Sequence, residues 1–115
     1  MTENEVRYLV IEPSGAITVH TGSLNVGDAQ DIVGGDIDIL PEPRDVAATL
    51  IANEEGKRLG LDANWGATRL IKSSLRTTDF VTGNVIVAGI PDGKGNLTSL
   101  TEEEEQAVRD IAASE

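Results

Sequence analysis

Val85-Ile86-Val87-Ala88 is the stretch that most narrows the possible folds. Four apolar residues follow one another, three of them β-branched, between Asn84 and Gly89-Ile90-Pro91. A strand turns alternate residues to opposite faces, so a strand with no polar side has to be covered on both. Residues 84–90 are therefore expected to form a central strand. The other strand signals are shorter or alternate. Val6 to Ile11 is an unbroken β-prone run closed by Glu12-Pro13, and Pro13-Ser14-Gly15 is a turn. Ala16 to Thr21 alternates, with Ile17 and Val19 on one side and Thr18 and His20 on the other, so the two runs read as a β-hairpin.

Helical signals lie between these strands. Val26, Ala29, Ile32 and Val33 make one apolar stripe, entered through Ser23 or Asn25 as cap and stopped by Gly34-Gly35. Asp36 to Leu40 alternates, with Ile37 and Ile39 facing in and the aspartates facing out. Ala47 to Asn53 is a further strand, and Glu54-Glu55-Gly56-Lys57 is its turn. Ala63 to Arg76 reads as a helix capped by Asp62 or Asn64, with Ala67, Leu70, Ile71 and Leu75 buried. The last helix starts at a capping box, Thr101 with Glu104, and buries Ala107, Val108, Ile111 and Ala112. This order predicts an α+β fold: one domain over residues 1–115, with a mainly antiparallel sheet of about five strands and two to three helices packed on one face. Residues 1–5 are expected to be disordered.

Composition limits the chemistry. The only aromatic residues are Tyr8, Trp65 and Phe80, so the core is aliphatic. There is no cysteine, which removes thiolate catalysis, disulfides and Cys-ligated zinc. No apolar run approaches the ~20 residues of a membrane span. The polar N-terminus lacks the pattern of a secretory signal, so a cytoplasmic location in the host cell is expected. The formal net charge is −11, from 20 acidic and 9 basic residues. Such a surface favours solubility or a basic partner, and it argues against direct nucleic-acid binding, which needs positive charge at the phosphates. The charge is uneven. Lys57, Arg58, Arg69, Lys72 and Arg76 stand against Asp62 alone, a local balance of +4 that leaves −15 for the rest.

Five segments, in order, resemble one family: Leu9-Val10-Ile11-Glu12-Pro13; Val33-Gly34-Gly35; Asn53-Glu54-Glu55-Gly56-Lys57 with Leu59 to Asn64; Gly83 with Val85 to Gly89; and Leu97-Thr98-Ser99-Leu100-Thr101. The family is domain of unknown function 3846, small proteins of bacteriophages, plasmids, integrative elements and their bacterial hosts. The resemblance spans about residues 6 to 112. It implies a stand-alone cytoplasmic domain carried by mobile DNA, and no particular reaction, cofactor or substrate. Members often continue Asn-Arg-Ala where this chain has Asn64-Trp65-Gly66-Ala67.

The candidate binding residues are Asn53, Glu54, Glu55, Lys57, Asn64 and Arg69. Carboxylates and amides could converge there on a ligand, and two neighbouring carboxylates could act as an acid and base. The same residues are also ordinary turn formers, with Gly56 supplying a positive φ. Arg69, Lys72 and Arg76, at i, i+3 and i+7, could present three cations along one helix face or pair with the chain's own acids. Asp36 and Asp38 could hold a hard cation or be a solvated edge. Asp92 to Asn96 lacks the spacing of a calcium loop. His20, the single histidine, reads as exposed. Glu102 to Glu105 with Asp110 is either helix-dipole compensation or an imitation of DNA phosphates. No phosphate-binding glycine loop, catalytic constellation or transition-metal set is present in the sequence. The expectation is an accessory protein that binds a host or phage protein, with no cofactor and no enzymatic activity. A DNA-mimic or anti-defence role is one version of it. The alternative is a small-molecule or nucleotide-binding domain using the 53–64 loop and the Arg69, Lys72 and Arg76 face.

Overall fold

The structure, a computed structural model, describes residues 5–43, 45–71 and 80–113. Its elements are β1 (Val6–Ile11), β2 (Ile17–Gly22), α1 (Val26–Val33), β3 (Ile37–Ile39), β4 (Thr49–Asn53), α2 (Trp65–Ile71), β5 (Val85–Ala88) and α3 (Glu102–Ala112). The five strands form one sheet in the order β2-β1-β5-β4-β3, and every neighbouring pair is antiparallel. The α+β reading holds. β5 lies at the centre with all four side chains buried, as its sequence requires.

Alternation of side chains divides the core into two layers. Leu9, Ile11, Leu50, Ala52, Val85 and Val87 point to one face, where Ala67, Leu70 and Ile71 of α2 and Val108 and Ala112 of α3 cover them. Tyr8, Val10, Ile51, Ile86 and Ala88 point to the other, where Ala29 and Val33 of α1 pack. The expectation of helices on one face is corrected here. An all-apolar β5 leaves an exposed stripe unless a second layer exists, and α1 supplies it.

The ends of the helices follow local chemistry. Asn25 caps α1 in a reciprocal capping box with Asp28, and Gly34 closes it at φ 86°. Thr101 and Glu104 form the expected box on α3. Val26 of α1 and Ile39 of β3 border one open hollow between the helix and the sheet, where Val26 is 60% exposed and Ile39 58% exposed. Ile39 thus shares the α1 face with Ile37 and Ile51, as its alternation suggests, but it is not buried there. The continuation of α2 toward Arg76, with Lys72 and Leu75, and residues 1–4 of the N-terminus lie outside the described residues.

Candidate functional site

β4 ends at Asn53, and residues 54–60 form consecutive turns leading toward α2. Hydrogen bonds hold this loop at both ends. The Asn53 side-chain amide donates to the Val33 carbonyl at 3.1 Å, and its oxygen accepts from the Glu55 amide at 2.8 Å. Gly56 N–H donates to Asn53 O, and Leu61 N–H to Gly56 O. Gly56 does not have a positive φ; in this loop it is Gly60, at 74°, that does. Gly56 is required for space instead, because a Cβ there would collide with the Thr82 hydroxyl.

Asn64 holds the other end from inside the core. It is 0% exposed. Its side-chain nitrogen donates to the carbonyls of Ile11 and Gly83, both at 2.8 Å, and its oxygen accepts from Ala67 N–H at 3.1 Å, which caps α2. Its backbone carbonyl takes Thr68 N–H and the Thr68 hydroxyl. One side chain thus joins β1, the approach to β5 and α2. Both asparagines spend their amides on backbone groups.

Between them the loop borders an open cleft of about 520 Å³. Asn53, Glu54, Glu55, Gly56, Lys57 and Arg58 line it from the loop, Asp38 from β3, and Phe80 and Thr82 from the segment before β5. Four of the candidate residues, Asn53, Glu54, Glu55 and Lys57, therefore meet. Glu55 is not free to pair with Glu54 as an acid and base, because it takes the Arg58 guanidinium at 2.6 Å. The pair is exposed and contributes little to stability. Asp38 and Asp36 join no group of acidic or imidazole side chains able to hold a metal, and none occurs among the described residues.

Two residues that the pattern of the 53–64 loop does not contain complete the surface. The Lys57 ammonium sits 4.9 Å from the centre of the Phe80 ring. Phe80 in turn stacks at a tilt on Trp65, with ring centres 5.5 Å apart. Trp65 is 54% exposed. The sequence did hold a signal for it: Trp65 falls off the Ala67, Leu70, Ile71 stripe of its own helix. Beyond Trp65 a smaller hollow of about 250 Å³ contains Arg69, whose guanidinium donates to Ala112 O at 2.8 Å. Arg69 is thereby separated from the cleft, and Trp65, which lines the same hollow, packs on Phe80 at the cleft. Lys72 and Arg76, its proposed companions, lie outside the described residues.

Elsewhere, the acidic start of α3 has local work. Glu104 closes the capping box, and Glu105 pairs with Arg7 at 2.9 Å and Arg109 at 3.7 Å. Glu102 and Glu103 are exposed, and Asp110 accepts from Gln106. His20 is exposed, stacks on Tyr8 with ring centres 5.4 Å apart, and bonds Thr18. Burial, with a smaller contribution from Asp28, raises the Tyr8 hydroxyl above its ordinary value. No helix among the described residues is long and apolar enough to cross a membrane.

Neither the curated proteins nor the solved structures contain a match to this chain. A family model does match, over residues 6–112, which takes in every strand and helix described above. The chain belongs to the family described as domain of unknown function DUF3846.

Proposed function

We propose that the chain is a binding protein of a phage or mobile element and that it engages a host or phage protein through the surface running from the 53–58 loop over Phe80 to Trp65. The observation that carries this reading is the Lys57-Phe80-Trp65 arrangement. The chain has three aromatic residues, and two of them meet at the rim of the cleft rather than in the core. An exposed tryptophan packed on a ring that carries a cation is the kind of anchor that dominates protein interfaces, where tryptophan, tyrosine and arginine carry most of the energy. The surrounding Glu54, Glu55, Asp38 and Arg58 would form a polar rim. The net charge of −11 would steer a basic partner toward the chain and make association salt-sensitive.

The test is capture from host lysate at low and high salt, with wild type beside Trp65→Ala. A partner retained at low salt, weakened by salt and lost with Trp65→Ala supports the reading. Retention of the same proteins by both forms, or of none, contradicts it.

The cleft volume favours a second reading. About 520 Å³ falls within the range of small-molecule sites, and its lining mixes charge with an aromatic edge. A thermal-shift screen with nucleotides and metabolites separates the two. A ligand at 100 times its dissociation constant raises stability by ~2.7 kcal/mol, and Lys57→Ala would abolish the shift. A protein partner produces no response to small molecules.

A further inference from the structure

The edge strand β2 has a feature that the other edge of the described sheet, β3, does not share. Fifteen residues in a row, Pro13 to Gly27, contain no Asp, Glu, Lys or Arg, in a chain of which 25% is charged. β2 lies in the middle of this window and, among the described residues, pairs on one side only, with β1. Exposed edges are normally guarded by charge, proline or a bulge, because their unpaired backbone invites another strand. The opposite edge, β3, follows that rule: it is three residues long and carries Asp38. β2 is six residues long, regular and unguarded.

The register fixes which groups are open. Arg7, opposite Thr21, turns its N–H to the Ser99 hydroxyl and its carbonyl to Leu100 N–H, away from β2. In an antiparallel pair, alternate residues exchange both bonds, so Thr18, His20 and Gly22 are the ones bonded to β1. Ile17, Val19 and Thr21 therefore direct their N–H and C=O groups outward.

We infer that β2 is the contact between two copies of this chain, paired antiparallel about a two-fold axis through Val19. That axis places Val19 opposite its own counterpart and Ile17 opposite the second copy's Thr21, so all three outward residues find bonds in one register. Thr18 and His20 fall opposite each other as well. Ile17, Val19 and Thr21 each face a β-branched residue, and no charge opposes a charge. The choice of a second copy rests on charge. Two chains of −11 repel over most of their surface, and this uncharged edge is where self-repulsion is least. A basic partner finds nothing to pair with along the same edge. The result is one continuous sheet across both copies.

Sedimentation equilibrium from about 1 to about 500 µM protein, combined with amide exchange, tests the inference. Dimerisation that strengthens with added salt is expected, because salt screens the repulsion between the two copies. Amides of Ile17, Val19 and Thr21 should become protected as concentration rises, while those of Thr18 and His20 stay protected throughout. Val19→Lys and Thr21→Lys should each weaken the dimer at least about tenfold with unchanged monomer circular dichroism. Ile39→Lys, on the other edge, should not. A monomer throughout the range overturns the inference, as does a dimer that leaves the three outward amides unprotected or persists in both β2 variants.

Discussion

Replacing Asn64 by alanine should damage this fold more than any other single polar deletion in the candidate site. The side chain is 0% exposed and makes three hydrogen bonds to backbone: two donated, to Ile11 O and Gly83 O, and one accepted, from Ala67 N–H. Alanine leaves all three partners buried. Each orphaned group costs ~1–3 kcal/mol, and the lost cap is included in that figure. Since the three share one neighbourhood and relax together, a total of about 4 kcal/mol is expected. Unfolding entropy of about 2.1 cal/mol/K per residue gives ~0.24 kcal/mol per kelvin for a chain of this length, so Tm should fall by about 17 °C. Asn64→Asp adds a diagnostic. It keeps the acceptor for Ala67 but turns a carboxylate toward two carbonyls, so the folded state favours the protonated form. The native protein then binds more protons than the unfolded chain, and stability falls as pH rises past the unfolded value of about 4. Differential scanning calorimetry of both variants at matched concentration, from about pH 3.5 to about pH 7, checks this. A Tm loss below about 4 °C for Asn64→Ala, or an Asn64→Asp profile that is flat in pH, would refute the reasoning.

Other consequences follow from the same geometry. Asn53→Ala removes two bonds at a less enclosed position and should cost about 2 kcal/mol, read as a Tm loss of roughly half that of Asn64→Ala; Glu54→Ala, an exposed side chain, should stay within ~0.5 kcal/mol. Gly56→Ala forces a Cβ against the Thr82 hydroxyl and should destabilise by ~1–3 kcal/mol by urea titration, whereas Gly93→Ala, with open space around it, should be near neutral. Tyr8 should ionise later than free tyrosine when followed at 295 nm in alkali. Because its folded value is raised, the native state holds the proton longer, and stability declines as pH rises above about 10.

Much of the framework was legible in the sequence because it depends on local chemistry. The capping box at Thr101, the cap at Asn25, the Gly34 stop and the β1-β2 hairpin each follow from residues within a few positions of one another. The position of α1 does not. Its stripe says that it packs, but only the covered-on-both-sides character of Val85 to Ala88 says that a second face exists to receive it, and those two facts are fifty residues apart. Exposure of Ile39 is a tertiary result too: alternation assigns it inward, but it borders an open hollow beside α1 rather than packed side chains. The loop from Asn53 to Asn64 was recognisable as polar and glycine-bearing, but the roles inside it were not. Asn53 and Asn64 look like ligand groups on paper because the carbonyls that occupy them, at Val33, Ile11 and Gly83, are between 19 and 53 residues away. Phe80 joins the site through the path of the chain back toward β5, which no spacing in the sequence reveals.

The central claim is that this protein acts by contact through the Lys57-Phe80-Trp65 surface. Trp65→Ala offers the cleanest measurement, because that side chain is half exposed and its main described contact is the Phe80 ring, worth ~0.5–1.5 kcal/mol. Captured partner should be compared between wild type and Trp65→Ala at matched concentration and low salt, with Tm recorded for both. The account predicts a Tm within about 6 °C of wild type and loss of at least about nine-tenths of the captured partner. Undiminished capture by the stably folded variant would contradict it.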